Sequence, residues 1–212
     1  MKTIIHKLIV PTLAVFTITT AVNAAVIESF DYTPGTLSGA VTGSGLTGSW
    51  SANSGGVDIV SGSLSAAGIT GYGFTPTGNR VSSPNDSFAT SRVSLGAGNT
   101  IDFGADSTTY FSFLFRVNDT NSQFRLNFND SSDSNIAYAG DNNITDRLTI
   151  QIDTRTISSS VFTPGETFLV AGRIITSASG NDSISAALLT DVTGGEPVSW
   201  DATDTATISD VA

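Results

Sequence analysis

The sequence predicts an all-β protein, an antiparallel β-sandwich, and three observations carry that prediction. Apolar and polar residues alternate in short runs bounded by Gly, Pro, Asn or Ser. Beyond residue 24 no stretch repeats with the period of a helix. The densest run, Tyr110-Phe111-Ser112-Phe113-Leu114-Phe115-Arg116-Val117, sets Phe111, Phe113, Phe115 and Val117 on one face of a strand and Tyr110, Ser112, Leu114 and Arg116 on the other. Wound as a helix, three Phe at spacing two would be scattered around the axis. We read this run as a central strand whose Phe face is almost wholly buried, with a mixed second face partly open to water or ligand.

Lys2, His6 and Lys7 form a short positive region, Leu8 to Val22 is apolar, and Val22-Asn23-Ala24 supplies small residues, so residues 1–24 read as a signal peptide. Residues 25–212 remain as a single domain, long enough for one continuous core. Both lysines, the only His and the only Met fall in the first 24 residues. Seven arginines then stand against nineteen acidic residues, a net charge of −12. Such a surface repels phosphate backbones and anionic lipid, which argues against nucleic-acid partners and against membrane insertion after cleavage. With no Cys and no His after residue 24, thiol nucleophiles, disulfides, zinc-thiolate sites and Ser-His-Asp triads are excluded.

Ala25–Phe30 reads as a first strand and Tyr32-Thr33-Pro34-Gly35 as a turn. Gly39–Gly56, rich in Gly and Ser, reads as irregular, with Trp50 its one bulky anchor. Short strands follow at Val57–Val60, Ser63–Ser65, Asn79–Val81, Phe88–Val93 and Thr100–Phe103. Phe124-Arg125-Leu126-Asn127-Phe128 repeats the pattern of the dense run after the turn-like Asn118–Ser122, so the two are expected to pair as an antiparallel hairpin. Asn135–Ala139 and Leu148–Asp153 are further strands. Thr163-Pro164-Gly165-Glu166 turns the chain into Thr167–Ile175, whose two-sided hydrophobicity marks a strand covered on both faces. Ser177–Asp182 is a turn leading to Ser183–Thr190. From Asp191 the chain is acidic and weakly patterned, with Trp200 as a second anchor. No strong strand is expected there to close the sheet, which suggests a domain lacking its last strands.

Two site expectations follow from the residues. Hard oxygen donors gather in Asn129–Asn135 and Asp141–Asp146, which read either as ordinary solvated Asx turns or as a Ca²⁺ site with Asp130, Asp133, Asn135 and Asp141 as ligands, although neither segment matches the EF-hand loop. The expected hairpin would bring Arg116, Arg125 and Asn127 together as a polar platform for a sugar, and Trp50 offers a ring for a pyranose face.

Glu28-Ser29-Phe30-Asp31-Tyr32 with Pro34-Gly35, and then Gly48-Ser49-Trp50, resemble the start of exported bacterial proteins with a concanavalin A-like (laminin-G-like) jelly-roll domain. Tyr110–Arg116 resembles their central strand, and Phe168–Ile174 with Asn181–Ser185 resembles their paired late strands. Many such proteins end in a PEP-CTERM sorting segment, which this sequence does not contain. The resemblance implies the fold of the concanavalin A-like lectins and glucanases. The hydrolases among them carry a Glu-x-Asp-x-x-Glu motif, and no such motif occurs here. Glu28, Glu166 and Glu196 are the only glutamates. The expectation is therefore a secreted or cell-envelope, non-catalytic module that binds polysaccharide or another envelope component. The alternatives are a structural matrix domain without a small ligand, or a glycoside hydrolase of the same fold.

Overall fold

The runs of alternating residues form strands, and the strands pair antiparallel. The computed structural model describes residues 30–40, 45–54, 57–73, 76, 78–82, 90–96, 100–116, 125–129, 134–141, 146–194, 196–197 and 199–207. The expected signal segment and the first strand, apart from Phe30, lie outside the described residues. Among the described residues the strands are β1 (Gly35–Thr36), β2 (Leu46–Ser54), β3 (Asp58–Val60), β4 (Arg80–Ser82), β5 (Thr90–Leu95), β6 (Ser107–Arg116), β7 (Arg125–Asn129), β8 (Asn135–Asp141), β9 (Arg147–Gln151), β10 (Thr156–Val161), β11 (Thr167–Thr176), β12 (Asn181–Leu189) and β13 (Ala202–Thr207).

Two four-stranded sheets, ordered β13-β12-β11-β6 and β10-β9-β8-β7, pack face to face as a sandwich. Two smaller sheets, β1-β3-β4 and β2-β5, come from the N-terminal half. The register explains the core. Phe115 pairs with Phe168, Phe113 with Val170, Phe111 with Gly172, and Ile174 with Ile184, so these side chains share the inner face of the first sheet. Ala139 opposite Ile150, and Phe128 opposite Ala137, do the same for the second sheet. Between them Phe115, Leu148, Ile150, Phe162, Val170, Ile174 and Ile184 are each at most 2% exposed. Phe115 and Phe162 meet edge to face at 4.6 Å, a favoured aromatic geometry.

Three side chains tie this framework where backbone pairing stops. Asp204 lies on the inner face opposite Ile184, and its Oδ2 accepts the amides of Ile152 (2.8 Å) and Asp153 (3.1 Å), joining β13 to the end of β9 in the other sheet. Asp182 accepts the Ser177 amide at 2.9 Å across the β11–β12 turn. Asp201 accepts the Leu188 amide and the Ser160 hydroxyl, both at 2.8 Å. Buried carboxylates are tolerated where they accept charge-assisted bonds of this kind.

The structure corrects several expectations. Among the described residues β6 is the end strand of its sheet and β11 an interior one, and Phe111 and Phe113 are only half-buried while Phe115 is 2% exposed. β6 and β7 form no hairpin. They lie in different sheets, and Phe111 meets Phe128 across the sandwich at 5.2 Å. Within Gly39–Gly56, expected to be irregular, Leu46–Ser54 forms β2, and Gly48, at φ 84°, stands where the pairing with β5 shifts register. Ser63–Ser65 and Thr100–Phe103 are not strands, though Ile101 and Phe103 still pack on the core. Besides β2, three strands were not expected: the short β1, β10, and β13 in the segment read as weakly patterned.

Candidate functional site

The outer face of the first sheet is half covered. Leu114, Leu169 and Leu189 stand in one row across β6, β11 and β12, and Ala66, Ile69, Tyr72 and Val192 pack over them. The covering segment is held by hydrogen bonds from the Thr70 amide to the Thr190 carbonyl (2.8 Å) and from the Val192 amide to the Thr70 carbonyl (2.9 Å). This cover accounts for the two-sided hydrophobicity of Thr167–Ile175.

Four residues further along β6 the face opens. Strand register places Tyr110, Arg173, Ser185 and Thr203 in a single row across all four strands, spanning about 14 Å at the usual strand spacing. Glu196 and Trp200, from the connection between β12 and β13, close over Arg173. The Arg173 guanidinium lies 2.7 Å from Glu196 Oε1 and 5.0 Å from the centre of the Trp200 ring. The Tyr110 hydroxyl donates to the other oxygen of the same carboxylate at 3.0 Å. The Ser185 and Thr203 hydroxyls are 3.0 Å apart. Tyr110 is 60% exposed, the most exposed of the large apolar side chains among the described residues. Beyond it, Thr108 and Ile175 continue the face into an open cleft of about 430 Å³, shared with Asp106, Ser107, Thr176 and Ser177.

The arrangement offers an aromatic ring face to solvent with its edge fixed, one carboxylate already held by a phenol and a guanidinium, and the exposed hydroxyl of Thr203, while Ser185 is buried. These are groups that stack on a sugar ring and exchange hydrogen bonds with its hydroxyls. In the sequence Trp200 reads as an anchor and Glu196 as one of three glutamates outside any catalytic motif. Nothing in their local pattern joins them to Tyr110, because the site exists only once the register is known.

The residues expected to form sites are dispersed. Trp50 packs inward, its ring 5.8 Å from Phe30 and its Nε1 donating to the Tyr32 hydroxyl at 3.3 Å. Arg116 is exposed at the far end of β6 from Tyr110. Arg125 and Asn127 belong to β7 and face outward on the other sheet, so the platform expected with Arg116 is split between opposite faces of the sandwich. There Arg125 lies over the Tyr138 ring at 4.7 Å, and Asn127 accepts from Asn135 at 3.4 Å. Burial pushes the Tyr138 phenol above its ordinary pKa, opposed by the Arg125 and Arg155 charges and reinforced by Asp204.

Of the expected calcium ligands, Asp130 and Asp133 lie outside the described residues. Asn135 and Asp141 stand at opposite ends of β8, about 20 Å apart along a strand, and cannot share one ion. Asp141 is fully buried on the inner face opposite Leu148. No cluster of three His, Cys, Asp or Glu able to hold a metal occurs among the described residues. No family model, curated protein or solved structure matches this chain.

Proposed function

We propose that this protein is an exported, non-catalytic module that binds carbohydrate on the outer face of the β13-β12-β11-β6 sheet. The observation that carries the reading is Tyr110, a ring 60% exposed whose hydroxyl is held by Glu196. A solvent-facing ring costs apolar exposure, and its fixed edge pre-organises it for stacking. Arg173 and the exposed Thr203 stand in the same row beside it, with Ser185 buried between them. Export follows from the signal-like residues 1–24, and N-terminal sequencing of the protein recovered from medium or envelope tests it by starting at Ala25. The finer type of the sandwich, a concanavalin A-like jelly roll, is part of the same proposal and rests on the strand patterns that resemble that family.

A glycan array probed with the purified protein is the direct test. Signal on polysaccharides supports the reading. An array without signal favours the competing one, a structural envelope or matrix domain, for which the mutual satisfaction of Tyr110, Arg173 and Glu196 speaks. Calcium binding by the oxygen-rich segments Asn129–Asn135 and Asp141–Asp146, much of which lies outside the described residues, stays a proposal. A thermal midpoint unmoved by millimolar Ca²⁺ removes it.

A further inference from the structure

We infer that the Tyr110 face takes uncharged glycans and rejects anionic ones, and that Glu196 sets the choice; the inference rests on the carbohydrate-binding reading above. Arg173 is the cation of the row, and its guanidinium is already neutralised by Glu196 at 2.7 Å. The Tyr110 hydroxyl, the other strong donor on this face, is directed at the second oxygen of the same carboxylate. A uronate or sulfate group approaching the row therefore meets a carboxylate whose side chain is 43% exposed, with both neighbouring donors engaged. Like charges brought together on binding are a means of rejecting a wrong partner.

The surroundings act in the same direction. The adjoining cleft is walled by Asp106, and the remaining groups of the row and the next, Ser185, Thr203, Thr108 and Ser183, are neutral hydroxyls. The whole chain carries a net charge of −10, which lowers the local concentration of any polyanion. A neutral sugar meets none of these costs. Its ring lies on Tyr110, its hydroxyls donate to the open side of the Glu196 carboxylate, and no ion pair has to be broken.

The charge at position 196 is thus the discriminating element, and it can be removed without changing shape. Affinity electrophoresis of the wild-type protein and of Glu196→Gln is run in gels holding neutral polymers (β-glucan, xylan, mannan) or anionic ones (polygalacturonate, alginate), at low and high salt. The wild type is expected to be retarded by at least one neutral polymer, with little salt dependence, and by no anionic polymer. Glu196→Gln frees the Arg173 guanidinium and is expected to gain at least about tenfold in affinity for polygalacturonate, the gain disappearing at high salt. Adding Arg173→Ala to Glu196→Gln is expected to abolish that gain, and Arg116→Ala, at the far end of β6, to change nothing. Retardation of the wild type by polygalacturonate as strong as by a neutral polymer overturns the inference, as does a folded Glu196→Gln protein that gains no anion binding. A wild type retarded by no neutral polymer overturns the carbohydrate-binding reading itself, and the inference with it.

Discussion

Glu196 accepts the Tyr110 hydroxyl at 3.0 Å across 86 positions of sequence, and through the same carboxylate it pairs with Arg173 at 2.7 Å. One carboxylate thereby links the edge strand β6, the interior strand β11 and the connection to β13. The same connection carries Trp200, so a ring over Arg173 and a hydrogen bond to the Tyr110 hydroxyl arrive together. Exposed ion pairs of this kind add little to stability. Their consequence here is geometric, a ring held in one orientation on an open face.

Gly172 is where the sandwich tolerates least change. It pairs with Phe111, and a methyl group on it would overlap the Phe111 ring and stand 2.7 Å from the Ser185 carbonyl oxygen. Gly172→Ala is therefore expected to destabilise the protein by about 1–3 kcal/mol through overpacking, read as a fall in the urea midpoint with unchanged slope. Phe111→Leu in the same chain is expected to recover part of that loss, because the two positions share one space. A Gly172→Ala protein as stable as wild type would place the Phe111 ring elsewhere.

Asp204 is a buried cross-sheet tie, and Asp201 is an exposed one. Asp204→Ala leaves the Ile152 and Asp153 amides without their acceptor and is expected to cost about 2–4 kcal/mol. Asp201→Ala removes bonds to Leu188 and Ser160 that water can replace, at about 1 kcal/mol or less. Chemical denaturation of the two variants side by side checks the order, and equal losses would contradict it.

Tyr138 makes a statement about alkaline pH. Its pKa is raised in the folded protein, chiefly by burial, so the protein holds the phenol proton more tightly folded than unfolded. That contribution to stability is complete below the ordinary tyrosine value near 10 and is lost as pH rises from there through the raised value. Stability measured from pH 8 upward should fall in that window for the wild type and less steeply for Tyr138→Phe. Parallel curves would remove Tyr138 as the cause.

The fold was legible in the sequence where side chains are large. Phe111, Phe113 and Phe115, and Phe168 with Val170 and Ile174, announce their strands because alternation of bulky residues has no other use. β13 escaped notice because its inward residues are Ala202, Asp204 and Ala206. They are small or charged since Leu148 and Ile150 of the opposite sheet fill the space and Asp204 answers two amides there. β2 escaped because its Gly and Ser residues have low strand propensity and it bulges at Gly48. The pairing of β6 with β7 was misread for a different reason, since two matching aromatic faces fit equally well side by side or face to face. The candidate site was the least legible part. Tyr110, Arg173, Ser185 and Thr203 become neighbours only through three strand registers, and Glu196 and Trp200 join them from an unpatterned connection.

The measurement that bears most directly on this account is calorimetric titration of wild type and Tyr110→Ala with the best-binding polysaccharide from the array. Tyr110 is mostly exposed, so its removal should cost less than about 1 kcal/mol of stability. Binding should nevertheless weaken by at least about tenfold, the loss of one stacked ring on a face that has no other fully open one. A folded Tyr110→Ala protein that binds the same glycan as tightly as wild type would contradict the assignment of the site to this face.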